Sequence, residues 1–220
     1  MEPYEQMDLK SLEQAVRADL AEEQGAVAWL RGRPTPVRVG LAVGFAVLVG
    51  AVTLLLAARH DLHVYPPARL AFEAGWFALA SGACAWLALR PIYLPRPSTG
   101  LVGAVAAFAL AGPVVSALLP ELPTLAVYEH ISRVGRSGVA CFAIGSVVSV
   151  LALLFARALD RGGSRTGGQL VLAAAAAGLI GNLALVLHCP INHPEHLLLG
   201  HATVPLGLLL GLQLFAATRR

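Results

Sequence analysis

The residues best equipped for chemistry crowd into one short stretch, His188-Cys189-Pro190-Ile191-Asn192-His193-Pro194-Glu195-His196-Leu197-Leu198-Leu199-Gly200-His201. It holds four of the seven histidines and one of the three cysteines. The stretch joins the last two of a series of long apolar runs. Side chains that titrate, bind metal or oxidise are costly beside hydrocarbon, so their gathering there reads as a functional site and not as a loop that merely tolerates headgroups.

Three chemistries fit. The first is a reversible disulfide between Cys141 and Cys189, which needs an oxidising compartment and Cα atoms within about 7 Å. The second is a metal site drawn from His188, His193, His196 and His201 with a thiolate or Glu195. Pro194 suits the first position of a helix, so His193 and His196 can meet across its first turn. His196 and His201 are five residues apart, point roughly 140° away from each other on a straight α-helix, and so do not easily share one ion. The third is proton sensing by the imidazoles, with Glu73 as a partner. Cys84 reads as a buried small hydrophobe. Haem is disfavoured because the histidines crowd the rims of the apolar runs. Ser137 or Ser146 near His130 lacks any hydrolase motif.

The elements that must position these residues follow from composition. The chain of 220 residues is 57% hydrophobic and 13% charged, with a mean hydropathy of +0.70. Its apolar runs are too long for strands or ordinary core helices, which predicts an all-α polytopic membrane protein. Six runs, near 39–58, 70–89, 100–119, 138–156, 169–187 and 197–217, each approach the roughly 20 residues needed to cross the hydrocarbon. Pro113 makes the third the least regular. A proline is nonetheless accommodated where neighbouring helices satisfy the freed carbonyl. The pairs Gly40–Gly44 and Gly207–Gly211, with a fifth run made smooth on one side by Ala173 to Ala177, Gly178 and Gly181, predict close helix packing. No internal repeat of the transporter kind is visible.

Residues 1–36 are different in kind and form the first of two domains, the second being the bundle of 37–220. Up to Gln24 there are seven acids against Lys10 and Arg17, a net side-chain charge of −5. Leu9, Leu12, Val16 and Leu20 recur at helical spacing, and Asp8 can cap a short amphipathic helix that stops at Gly25. Pro34, Pro36 and the arginines 31, 33 and 38 predict a stiff basic collar at the membrane. Insertion is expected to use the first span and no cleaved signal peptide. A leucine stripe on an acidic helix is repelled by an anionic leaflet, so a protein groove explains it better than a membrane surface. The pI of about 9.0 does not signal nucleic acid, because 15 of the 16 basic residues are scattered arginines without a basic run.

With six spans and a cytoplasmic N-terminus, twelve basic residues fall in inside segments and four (Arg59, Arg69, Arg133 and Arg136) in outside loops, so the positive-inside rule predicts both termini in the cytoplasm. Every histidine then lies at the outer face.

The short N-terminal helix, the six spans, Gly138-Val139-Ala140-Cys141 at the outer end of the fourth and Leu187-His188-Cys189-Pro190…His196…Gly200-His201 in the last hairpin together resemble the NrsF-type multi-pass anti-sigma factors, particularly the membrane anti-sigma proteins of light-induced carotenoid synthesis. The resemblance implies a bacterial inner-membrane protein whose N-terminal segment holds an extracytoplasmic-function sigma factor until an outside signal releases it. It also implies that Cys141 and Cys189 are the family's paired functional cysteines. The 28–34 stretch is an addition to the usual family pattern. An oxidised pair, a metal ion or protonated imidazoles would shift the bundle between two packings, and a membrane protein partner at the outer face could deliver the signal. Full release requires about 5 kcal/mol of differential stabilisation, which one disulfide can supply and one exposed histidine cannot. The alternative class is a membrane redox or metal-dependent enzyme with its site at the outer rim, followed by a transporter, for which Asn182 and Gln213 give thin support.

Overall fold

Runs of about 20 apolar residues can satisfy their backbone inside a bilayer only by closing their hydrogen bonds within each segment, and the structure, a computed structural model, shows them doing so. It describes residues 25–90, 94–119, 131–160 and 167–217, with the side chains of 131–137 and 213–217 left aside. Among the described residues every regular element is helical. Six helices are long and apolar enough to cross a membrane: Thr35–Ala57, Pro67–Ala88, Thr99–Leu118, Gly138–Ala158, Gly167–His188 and Pro194–Leu212. Among the described residues these six helices support a multi-pass membrane protein, and a short helix, Ala26–Arg31, precedes them. The leucine-striped helix expected before Gly25 lies outside the described residues.

The fifth span organises the rest. Every residue from Leu172 to Leu187 is buried, so this helix is apolar on all sides because it has no lipid-facing side at all. The sequence predicted one smooth side; the other five spans in fact surround it, and its run of alanines lets them approach closely. Its glycines mark the tightest crossings. A Cβ on Gly178 would stand 2.5 Å from Pro205 Cβ, and one on Gly181 would meet the Gly145 carbonyl of the fourth span at 2.5 Å. The outer helices sort their side chains by face. The first span buries Thr35, Arg38, Ala42, Ala46 and Gly50 at helical spacing and turns Val43, Val47, Leu48, Leu54 and Leu55 outward. Between the first, second, fourth and fifth spans the small residues leave an apolar cavity of about 410 Å³.

Of the four glycines paired in the sequence, Gly207 alone stands close against another span. Gly40, Gly44 and Gly211 have open space where a Cβ would stand, and Gly207 faces only the Phe142 ring. Pro113 sits buried inside a third span that continues from Thr99 to Leu118. Trp76 of the second span lies against Gly112 and donates from Nε1 to the Phe108 carbonyl at 3.2 Å, beside the carbonyl that Pro113 leaves unpaired.

One end of the bundle is closed by an arginine. Arg38, expected in a basic collar, is instead 1% exposed. Its guanidinium donates to the Leu159 carbonyl at 3.0 Å, the Leu89 carbonyl at 2.9 Å and the Thr35 hydroxyl at 2.8 Å. Leu89 and Leu159 lie just past the C-termini of the second and fourth spans. A planar, permanently charged fork satisfies carbonyls at both helix ends and stands in the negative ends of both dipoles, which explains why a charge is tolerated there. The short helix Ala26–Arg31 touches the fourth span, with Leu30 against the main apolar core.

Candidate metal and thiol centre

The opposite end is built by the start of the fourth span, the end of the fifth and the first turns of the sixth. Cys141 lies on the buried stripe of the fourth span, followed at helical spacing by Gly145, Ser149 and Ala152. Cys189 comes one residue after the fifth span ends at His188, its amide still bonded to the Leu185 carbonyl at 2.7 Å. The two sulfurs are 3.5 Å apart, as free thiols, and Leu185, Val204 and Ile191 pack around them.

The sixth span contributes both imidazoles through an irregular turn. It starts as α-helix at Pro194–His196, passes through a π-helical segment, Leu197–Ala202, and resumes as α-helix at Thr203. In a π turn the hydrogen bond closes five residues on, so side chains five apart come to lie over one another. The 140° divergence expected of His196 and His201 therefore does not occur, and their rings meet edge to face at 5.5 Å between centroids. Pro205 can give no amide hydrogen to the His201 carbonyl four residues back, and the Thr203 hydroxyl bonds to the Leu199 carbonyl. Both favour the widened turn. Gly200 completes the geometry: a Cβ there would stand 3.2 Å from the Gly138 carbonyl and 3.4 Å from Cys141 Cβ, so its absence lets the sixth span close on the fourth.

The result is a cluster of Cys141, Cys189, His196 and His201, all buried, whose four ligand atoms lie within 4.8 Å of one another. His196 Nε2 is 3.2 Å from Cys189 Sγ. His201 Nε2 is buried without a hydrogen-bond partner, a costly state for a ring nitrogen unless something binds it. The hydrogen bond to Cys141 and burial push the Cys189 thiol up from its ordinary pKa.

Of the expected metal ligands, the structure brings together His196 and His201 and leaves out His188 and His193. His188 Nδ1 donates to the Ala57 carbonyl at 2.7 Å and so ties the fifth span to the first. His193 precedes Pro194 at the helix start, where its backbone carbonyl accepts from Leu197 at 3.0 Å. It is exposed, as is Glu195, and neither belongs to the cluster. His60 and His63 are exposed and outside the cluster, and His130 lies outside the described residues. Cys84 is buried in the main apolar core, apart from the other two cysteines, in keeping with its reading as a small hydrophobe.

A buried polar network that sequence reading did not find flanks the cluster. Arg59 pairs with Asp61 at 2.6 Å and donates to the Val186 carbonyl at 3.3 Å and the Pro190 carbonyl at 3.4 Å, gripping the chain on both sides of Cys189. Its guanidinium lies 3.9 Å over the Tyr65 ring. Tyr65 donates to Glu73 at 2.8 Å, and Glu73 also accepts from Arg69 at 3.1 Å and Ser116 at 2.5 Å. Burial alone would raise the Asp61 pKa, but the Arg59 hydrogen bond and charge more than reverse this and hold it below its ordinary value. Burial and then Glu73 push the Tyr65 hydroxyl up. Glu73, expected as a proton-sensing partner of the imidazoles, is thus held by three donors in a structural network. The clue in the sequence was two opposite charges, Arg59 and Asp61, beside the end of an apolar span, where an unpaired charge would be expensive.

No protein-family model, no curated protein and no solved structure matches the chain.

Proposed function

We propose that this protein is a membrane-bound anti-sigma factor of the bacterial inner membrane. Its acidic N-terminal segment, through Leu9, Leu12, Val16 and Leu20, holds an extracytoplasmic-function sigma factor in the cytoplasm. The thiol and imidazole cluster on the far side of the bilayer is the input. The observation that carries the sensing half is the convergence of Cys141, Cys189, His196 and His201, four groups whose bonding changes on oxidation or metal binding, inside one buried volume. The sigma-binding half is supported by the charge and leucine spacing of residues 1–24 and by the resemblance of the last hairpin. In this reading the protein acts by binding and turns over no substrate.

The fourth span is the natural conductor between input and output. Cys141 stands near its start and Leu159, gripped by Arg38, just beyond its end, 18 residues and therefore about 27 Å apart along the axis. The test is capture from a bacterial lysate by the full-length protein in nanodiscs, with a version lacking residues 1–24 as control. Stoichiometric retention of a sigma factor that depends on residues 1–24 is the expected result. Equal capture by both proteins, or none by either, would overturn the reading.

A further inference from the structure

Two thiols and two imidazoles gathered at one point are a donor set with a narrow range of uses. Soft sulfur with borderline nitrogen in a four-ligand arrangement selects zinc among common divalent ions. From Zn–S and Zn–N bonds of about 2.3 and 2.0 Å, tetrahedral geometry gives ligand-to-ligand edges of about 3.3 to 3.8 Å. Here the sulfur-to-sulfur edge is 3.5 Å and a sulfur-to-nitrogen edge is 3.2 Å, while no pair exceeds 4.8 Å. No edge has to contract by more than about 1.5 Å to reach the tetrahedron. We infer that Cys141, Cys189, His196 and His201 form a closed Cys2His2 site for one zinc ion, with the π turn of the sixth span as the device that presents both histidines to it.

Three further observations point the same way. His201 Nε2 is buried with no partner, as expected of a ligand nitrogen waiting for its ion. The charges also balance: two thiolates and Zn(II) make a neutral unit, whereas two bare thiolates would carry two negative charges into a buried pocket walled by Leu185, Val204 and Ile191. Finally, π turns inside α-helices recur at functional sites, and this one spans the interval between the two imidazoles. The inference deepens the proposed sensing role by naming its ligand. It uses nothing of the sigma-binding half, so the two can fail separately.

The test uses the full-length protein, reduced and in nanodiscs without any partner protein, titrated with Co(II) and then with Zn(II). The expected result is one ion per chain, with thiolate-to-cobalt charge-transfer absorption and the intense visible bands of a tetrahedral site, both erased by one equivalent of zinc. Cys141→Ser and His201→Gln, each checked for an unchanged elution volume and helix content, should weaken zinc binding by more than about a hundredfold, beyond the ten- to hundredfold lost when a group merely hydrogen-bonded to a ligand is removed. Pre-forming the Cys141–Cys189 disulfide with oxidised glutathione, which takes two electrons from the two sulfurs and leaves as two molecules of reduced glutathione, should abolish uptake. Faint octahedral cobalt bands, or unchanged zinc affinity in His201→Gln, would overturn the assignment. Uptake that survives His196→Ala with His201→Ala would also overturn it, since the site would then be a two-sulfur one of the kind a soft monovalent ion takes. A null result in the capture experiment would leave these readouts untouched.

Discussion

The two ends of the bundle bury polar groups in opposite ways. At one, Arg38 donates to two helix-terminal carbonyls and a hydroxyl, none of which changes its chemistry under physiological conditions. At the other, four groups that can each ionise, oxidise or bind metal face one another, and one ring nitrogen has no partner. A charge with fixed acceptors is a fastener. A set of mutually facing thiols and imidazoles is only conditionally stable, and its condition is set from outside. The difference teaches that the cost of burying polarity in a membrane is met permanently at one end and left open to a ligand at the other.

Substitutions can break or sharpen this contrast. The largest effect is expected from Arg38→Ala, which strips the carbonyls of Leu89 and Leu159 of a charged donor and should destabilise the bundle by about 3 kcal/mol or more. Arg38→Lys should recover part of it, because a point charge cannot reproduce a fork. Thermal unfolding in detergent measures both. If Arg38→Ala unfolds like the parent, the fastener is no fastener.

Next in size is the Arg59–Asp61 pair. Asp61→Asn leaves Arg59 without its counter-charge and should lower the unfolding temperature at neutral pH. The sign with pH is determined: because Arg59 depresses the Asp61 pKa on folding, the stability it contributes is fully present above the ordinary carboxylate pKa and is lost as pH falls through the depressed one. The parent should therefore show a steeper acid limb than Asp61→Asn, and parallel limbs would contradict the assignment.

At the cluster the expected effect changes sign. In metal-free protein His201→Leu removes a buried Nε2 without a hydrogen-bond partner along with the ring's interaction with Cys141, and should be neutral or slightly stabilising, within about 1 kcal/mol, though the same site is essential when zinc is present. A marked loss of metal-free stability would place His201 with Arg38 among the fixed fasteners. Smallest of all, Gly40→Ala and Gly44→Ala should change stability by no more than about 0.5 kcal/mol, since open space surrounds both positions.

What could be read from the chain alone follows the same division. Six spans were legible because the hydrocarbon thickness imposes a length that composition reports directly. Cys141 and Cys189 were legible as a pair, and the last hairpin as the place to look. The register of the histidines was not, because it turns on a π segment whose only traces are Pro205, Thr203 and Gly200, each ordinary on its own. His188 and His193 looked equivalent to His196 and His201 by type, but His188, at the end of the fifth span, turns to the Ala57 carbonyl and His193 stands exposed before Pro194. Arg38 was misplaced for a related reason: arginine near a span end usually signals topology, and nothing local announces that two helix C-termini converge on it. Gly178 and Gly181 were read correctly as contact residues, while Gly40 and Gly44, a GxxxG pair, have open space where a Cβ would stand.

The most direct measurement is zinc X-ray absorption on the full-length protein loaded in nanodiscs. The expected result is two sulfur scatterers at about 2.3 Å and two imidazole nitrogens at about 2.0 Å, with the sulfur contribution lost in the Cys141→Ser and Cys189→Ser double variant. Zinc held by nitrogen and oxygen alone, or a spectrum indifferent to that substitution, would contradict the claim that these four residues form one site.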